Sequence, residues 1–288
     1  MIIVTGATGK LGQAVAERLL ELIPADQIGV SVRDPEKARA LKEHGIRVRR
    51  GDFSDPASLR HAFEGASQVL IVSVNSLGPS AVEQHGNAIT AAKAVGAGRI
   101  LYTSHMAANL RSAFSPTRDH AATEALLQSS GLPFTALRNG FYAESALWFS
   151  NLQNANNIAL PEDGPVSWTS RSDLADATVV ALTKPESLSG ITPPLTNSEA
   201  LDFAAIARIA SEILGRQVTR EIMTDDAFRQ SQIASGLPES MVDGLGGFFL
   251  ASRQGEFAAA DLTLERLLGR PPMSMRNFIS SALRNDML

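Results

Sequence analysis

Residues 2–12 read IIVTGATGKLG, and this stretch decides the fold. Ile2, Ile3 and Val4 favour a short strand, and glycines follow at positions 6, 9 and 12. Beyond them Leu11, Val15, Leu19 and Leu22 recur at helical spacing, with Glu17, Arg18 and Glu21 mostly on the opposite face, until Pro24 stops the helix at Ile23. Strand, glycine loop and amphipathic helix, in that order, make an anion cradle. Glycines allow the tight turn and a close approach of backbone to a pyrophosphate. The first turn of the helix offers free N–H groups and the positive end of its dipole. Gly6, Ala7, Thr8, Gly9, Lys10, Leu11 and Gly12 are therefore candidate cofactor-binding residues. A purely structural glycine turn would carry the same letters, but it would not require the strand before and the helix after.

Working outward, the alternation continues. Strands are expected at Ile28–Val32, around Val48, at Val69–Val74, Arg99–Thr103 and Phe134–Leu137. Helices are expected at Glu36–Glu43, Pro56–Phe63, Ala81–Val95 and across residues 118–131. Regular strand–helix alternation means right-handed βαβ units and an α/β, Rossmann-type doubly wound parallel sheet. The pattern loosens after Arg138, where NLQNANNIALPEDGP (151–165) is rich in Asn and Pro, and later helices are expected at Leu174–Leu182, Phe203–Leu214 and Leu262–Leu268. The layout read from this is a dinucleotide-binding Rossmann sheet domain over residues 1–138. A smaller C-terminal α/β substrate lobe follows over residues 139–288, partly interleaved with the sheet edge.

Composition narrows the chemistry. The 288 residues are 44% hydrophobic, which supports a large core, and the formal net charge of −4 comes without a basic run, which argues against nucleic acid. The absence of Cys excludes disulfides, thiolate nucleophiles and iron–sulfur ligation. No apolar run approaches the roughly 18 residues a membrane helix needs, and MIIVTG is not a charged leader; a cytoplasmic protein without a membrane partner is expected.

Strand two ends in SVRDPEKA. An Asp or Glu at this point would bind the ribose hydroxyls of NAD, whereas Arg33 suits a 2′-phosphate through charge-assisted hydrogen bonds. NADPH is therefore favoured over NADH, the competing reading being a surface pair of Arg33 with Asp34 or Glu36. Further lining candidates sit where the other strands end: Asp52 and Phe53, then Ser73, Val74 and Asn75, then Ser104 with His105 and Met106, then Asn139, Gly140, Phe141 and Tyr142.

RDHAATEALLQSSG (118–131) places His120 and Glu124 one helical turn apart. Three readings are open: an acid–base pair, half a metal site, or a polar pair on the face away from Ala121, Ala122 and Ala125. The sequence is not HExxH, and His44, His61, His85 and His105 show no ligand spacing, so no metal is expected. Aromatic residues make up only 6% of the chain, yet Phe141, Tyr142, Trp148, Phe149 and Trp168 gather in one stretch. They are candidates for gripping a planar acceptor, with core packing the alternative for Phe149 and Trp168. GGFFLA (246–251) offers a second apolar wall or the contact of a homodimer, and Asp173 is expected to cap a helix N-terminus.

Taken as an ordered set, VTGATGKLG, VRDPEKA, GDFSDP, QHGNAITAAKAVG, YTS, HAATE and LRNGFY resemble the NmrA-like branch of the atypical short-chain dehydrogenases/reductases. The resemblance is strongest over residues 1–145 and points to the quinone- and triphenylmethane-reducing subgroup. It implies an NADPH-dependent oxidoreductase passing hydride to a quinone or a similar planar conjugated acceptor. By the family pattern the 6–12 loop and Arg33 hold the dinucleotide phosphates, and residues 73–75 and 139–142 pass the nicotinamide end. Other members of the branch bind NADP(H) as non-catalytic redox sensors, which is the alternative. The usual Tyr–Lys pair of short-chain dehydrogenases is missing: His120 and Glu124 occupy its region, and Tyr102 has no Lys partner. That absence weighs against ketone reduction, whose alkoxide product is about as strong a base as hydroxide. It is tolerable for quinone reduction, whose phenolate-like oxygen titrates at about 10. His120 and Tyr142 are the catalytic candidates.

Overall fold

The computed structural model of the chain describes residues 1–152 and 156–285. β1 (Ile2–Thr5) runs through the glycine loop into α1 (Lys10–Leu20), and β2 (Ile28–Val32) leads by a 3-10 turn at Pro35–Ala38 into α2 (Arg39–Glu43). β3 (Arg47–Arg50), α3 (Pro56–Phe63), β4 (Gln68–Ile71), α4 (Pro79–Ala94), β5 (Arg99–His105), α5 (Ser115–Ser129) and β6 (Phe134–Asn139) complete the regular half. Then come β7 (Phe141–Tyr142), α6 (Ala143–Ser150), β8 (Asn157–Pro161), β9 (Trp168–Thr169), α7 (Arg171–Thr183) and β10 (Gly190–Ile191). The chain closes with α8 (Phe203–Leu214), β11 (Thr219–Met223), α9 (Asp225–Ala234), α10 (Glu239–Arg253), α11 (Thr263–Leu268) and α12 (Met275–Asn285).

The main sheet has seven strands in the order β10-β6-β5-β4-β1-β2-β3, and every pairing is parallel. This is the expected Rossmann-type doubly wound α/β arrangement. Its central strands are apolar on both faces because helices cover both: IIVT of β1 and IGVSV of β2 are buried throughout. One face packs on α1, α2, α7 and α11 through Val15, Leu19, Leu41, Leu174 and Leu264; the other packs on α3 and α4 through Leu59, Phe63, Ala88 and Ala92. At the edge, β3 reads RVRR. Arg47 reaches the carbonyls of Ala62 and Glu64 at 3.0 and 2.8 Å and so closes the end of α3, a use of charge that also discourages edge pairing.

The chain reverses direction of travel across the sheet between β1 and β4, which opens the crevice where dinucleotides bind in such folds. The second half of the chain returns to this sheet: β10 pairs with β6, and α7 lies against α1. The remaining elements form a lobe around Trp168, Phe203, Phe248 and Phe257, with two small parallel sheets, β8 with β11 and β7 with β9. Four of its helices, α6, α9, α10 and α12, are not among those expected from the sequence. Part of the Asn-rich stretch, 153–155, lies outside the described residues. Strand four is shorter than its apolar run: after Ile71 the chain leaves the ladder, and Val72 N–H donates to Thr5 Oγ1 at 2.9 Å instead of to a strand. Asp173 is not the cap of its helix. Ser170 is, accepting from Asp173 N–H, while the Asp173 carboxylate is buried against Arg270 at 2.7 Å.

Candidate active site

The glycine loop is built as the motif demands. Gly6 has φ +62°, open to glycine at little cost. A Cβ on Gly12 would stand 2.4 Å from the Gly6 carbonyl oxygen, so the helix can approach the loop this closely only without one. Gly9 precedes α1, and no side chain caps the helix. The first-turn N–H groups of Lys10, Leu11 and Gly12 therefore remain open to an anion. Ala7 is buried beneath them and Thr8 is exposed beside them.

Arg33 follows β2 on the same edge, is exposed, and has no hydrogen-bond or ion-pair partner among the described residues. The alternative surface pair does not form: Asp34 instead accepts from Glu36 N–H at 3.1 Å, starting the next turn. Asp52 is partly occupied, its carboxylate accepting from Ser54 N–H at 2.9 Å and lying 4.0 Å from Arg50. Phe53 lies half-buried against the sheet face and holds Asn87 through its carbonyl at 3.0 Å.

Past the end of β4 the backbone is tied to β5 and to α4: Ser73 N–H donates to Thr103 Oγ1 at 2.8 Å, and Val74 N–H to His85 Nε2 at 3.0 Å. Asn75 is exposed. Ser104 is turned inward, its hydroxyl donating to Glu124 at 2.7 Å. Asn139, only 3% exposed, makes no side-chain hydrogen bond of ordinary geometry, though its amide lies close enough to the Tyr142 hydroxyl to favour the ionised form of that hydroxyl slightly. A Cβ on Gly140 would lie 2.3 Å from Thr169 Oγ1, so this bend also needs glycine. Tyr142 is half-buried, with the Arg171 guanidinium 4.7 Å over its ring, and burial raises its pKa so that the hydroxyl stays protonated.

His120 and Glu124 do not form a pair on a wet face. Glu124 is 3% exposed and takes a two-pronged bond from Arg138, at 3.0 Å from Nε and 2.7 Å from the second guanidinium nitrogen. It thus ties α5 to β6, and through Ser104 to β5. His120 Nδ1 meets the Tyr102 hydroxyl at 2.7 Å, and the His120 ring stacks on His105 with centroids 5.9 Å apart. Tyr102 also lies 3.5 Å from His85 Nδ1, which contacts Thr123 Oγ1 at 2.9 Å. Burial lowers all three imidazole pKa values, His85 to about 4 and His105 to about 3, with His120 pushed well down by burial and by the other two rings. Burial raises that of Tyr102. The cluster is neutral at physiological pH. Tyr142 and His120 share no hydrogen bond among the described residues. Among those residues no group of three or more His, Cys, Asp or Glu is placed to hold a metal ion.

The aromatic surface is different from the one the sequence outlined. Phe141 is its centre, with ring centroids 5.4 Å from His105, 5.6 Å from Phe114, 5.0 Å from Phe248 and 5.3 Å from Phe257. Trp168 is buried core with its ring 5.4 Å from Phe141, Phe149 packs on Phe248 and Phe249, and Trp148 is 56% exposed with its edge against Phe149. Phe248 and Phe249 of GGFFLA are fully buried, so those rings form interior wall and not a contact between subunits. The sequence reading weighed Tyr102 and His85 but gave them no place in the site, and passed over Arg138 and Phe114. Arg138 had a signal, a lone charge in the otherwise apolar strand FTALRN; the others are joined only by folding.

Among the described residues no helix is long and apolar enough to cross a membrane. The NmrA-like family model matches residues 1–267. Quinone oxidoreductase 2 of Escherichia coli (strain K12) is 34% identical over 282 residues, covering 97% of this chain and 98% of that protein. The crystal structure of an Escherichia coli NADPH-dependent quinone oxidoreductase complexed with NADPH superposes with TM-score 0.91 at 32% identity, over 98% of this chain and 99% of that one. That of Citrobacter sp. triphenylmethane reductase complexed with NADP(H) gives TM-score 0.90 at 31% identity, over 98% and 100%. Glycine cradle, sheet order and whole-length similarity agree: the chain belongs to the NmrA-like family.

Proposed function

We propose that this protein is an NADPH-dependent oxidoreductase that reduces a quinone or a similar planar conjugated acceptor. The observation that carries the reading is the placement, on one carboxyl edge of the sheet, of an uncapped glycine-cradled helix and a neutral wall of aromatic and imidazole rings. The relatives crystallised with NADPH or NADP(H) support it.

The residues fit the dinucleotide. The open amides of Lys10, Leu11 and Gly12 and the α1 dipole hold the pyrophosphate, and the unpaired Arg33 holds the 2′-phosphate. Asp52 and Phe53 border the adenine end; Ser104 lines the middle; Ser73, Val74 and Asn75 and the backbone of Asn139, Gly140, Phe141 and Tyr142 pass the nicotinamide end, where the Asn139 amide lies beside the Tyr142 hydroxyl. When bound, NADPH supplies the hydride. Phe141, Phe114 and His105 present edges and faces that orient a planar acceptor. Tyr142 and His120 provide neutral hydrogen-bond donors beside it. No strong acid is needed, because a phenolate-like product oxygen with a pKa of about 10 takes its proton from water.

The test is substrate contrast. Purified protein should oxidise NADPH rapidly and saturably with a small soluble quinone and negligibly with a simple cyclic ketone. Tight NADPH binding with no turnover of any planar acceptor would refute the reductase and leave a cofactor-binding regulator.

A further inference from the structure

We propose that Tyr102 is a positioning residue that holds His120 in its Nε2–H tautomer, so that His120 presents an N–H donor to the acceptor oxygen. This rests on the reading of the aromatic wall as the acceptor site, but the wiring itself follows from hydrogen-bond counting.

The count starts at a donor that cannot rotate. The backbone N–H of Val74, just past β4, lies 3.0 Å from His85 Nε2, so that nitrogen must accept. The buried neutral His85 therefore carries its proton on Nδ1. That Nδ1–H donates to Thr123 Oγ1 at 2.9 Å, while the Thr123 hydroxyl proton goes to the Asp119 carbonyl at 2.8 Å. Tyr102 now has one proton to place. Its oxygen is 3.5 Å from His85 Nδ1, a protonated nitrogen with no lone pair to give, and 2.7 Å from His120 Nδ1; the Thr123 hydroxyl also borders it, but that group already donates to the Asp119 carbonyl and accepts from His85, so the short contact is to His120. The proton goes to His120 Nδ1, which must then accept. Neutral His120 is left with its proton on Nε2.

That Nε2–H has no protein partner among the described residues. The ring it belongs to stacks on His105, and His105 touches Phe141 and Phe114, the rings of the acceptor wall. The groups facing His120 leave it neutral: His85 from α4, Tyr102 and His105 from β5, with Asp119 and Glu124 of its own helix engaged by Gly78 N–H and by Arg138 of β6. His105 is set in the same sense, its Nδ1 accepting from Ala107 N–H at 3.1 Å. The role is hydrogen-bond donation and not proton transfer. Releasing the Nε2 proton would require Tyr102 to give up its own to Nδ1, leaving a phenolate in a buried site.

The test is imidazole nitrogen NMR of ¹⁵N-histidine-labelled protein, with His120 assigned by loss of its signals in His120→Gln. The expected result is a pyridine-type Nδ1 and a pyrrole-type Nε2 at His120, converting to a tautomer mixture in Tyr102→Phe. In kinetics with a small quinone, Tyr102→Phe should lower kcat roughly 10-fold with the KM for NADPH unchanged. His120→Ala should lower it further, up to the roughly 10²-fold of a lost transition-state donor, and the double variant should match His120→Ala alone. A pyrrole-type Nδ1 at His120 in the unaltered protein overturns the wiring whatever the activity. The expected tautomer with full kcat in both variants overturns the donor role while leaving the reductase intact. Absence of quinone turnover in the unaltered protein overturns the donor role and the acceptor reading together, and the spectrum still decides the wiring.

Discussion

Lowering the pH should destabilise this protein through His85, by an amount its burial sets. His85 is 2% exposed, and burial holds its pKa at about 4 against an ordinary 6.5. The folded value is the lower one, so below about 6.5 the unfolded chain takes up the proton first. The stability His85 contributes is complete above that pH and is lost as the pH falls toward about 4. At about 1.36 kcal/mol per pH unit, the loss between pH ~7 and ~4.5 is about 2 kcal/mol. The perturbation is His85→Gln, whose amide oxygen still accepts from Val74 N–H but cannot titrate. Urea unfolding followed by tryptophan fluorescence at both pH values, in both proteins, isolates the term because the carboxylates cancel in the comparison and only His120, which His85 faces, is coupled to it. The unaltered protein should lose about 2 kcal/mol more than the variant over that interval. Equal losses would show that His85 is either solvated or already charged, and the neutral wiring built on it would fall.

Arg33→Ala should weaken NADPH binding by roughly 10- to 100-fold, the size of one or two charge-assisted hydrogen bonds, and leave NADH nearly unchanged in fluorescence titrations; equal losses would remove Arg33 from the 2′-phosphate site. Gly12→Ala forces a Cβ to within 2.4 Å of the Gly6 carbonyl. The loop must open, so NADPH affinity should fall at least about 10-fold, with about 1–3 kcal/mol of stability lost to overpacking, read by titration and thermal melting. Glu124→Gln leaves the Arg138 charge without its partner. Full burial would make this a loss of about 3–5 kcal/mol, but the Arg138 side chain is 27% exposed, so about 2–3 kcal/mol is expected, and an unchanged melting temperature would contradict it.

The sheet was legible because its signals are local. IIVTGATGKLG holds strand, loop and helix within a dozen residues, and each later βα unit repeats the change of period from two to 3.6. The lobe was less legible because its order is tertiary. Gly244, Gly246 and Gly247 break helix propensity inside α10, and nothing local reveals that Phe248 will face Phe141 across the chain. The site divides the same way. Gly6, Gly12 and Arg33 act through backbone geometry and position in a motif, so their letters carry the meaning. His120 and Glu124 looked like partners at one-turn spacing, yet each is claimed by a stronger contact from another element, Tyr102 on β5 and Arg138 on β6. Ser104 stands at the expected strand end but faces the core, because the buried Glu124 carboxylate needs its hydroxyl. Trp148 and Trp168 belong to one stretch of sequence, yet the fold leaves the first exposed and buries the second in the lobe core.

The central claim is that hydride passes from NADPH to a planar acceptor on this protein. The most direct measurement is rapid-mixing oxidation of NADPH, and of NADPH deuterated at the transferred position, with a small quinone in the presence and absence of protein. The account predicts protein-dependent, saturable oxidation with a primary isotope effect that persists in the single-turnover phase. Oxidation no faster than the protein-free reaction, in protein that demonstrably binds NADPH, would contradict it.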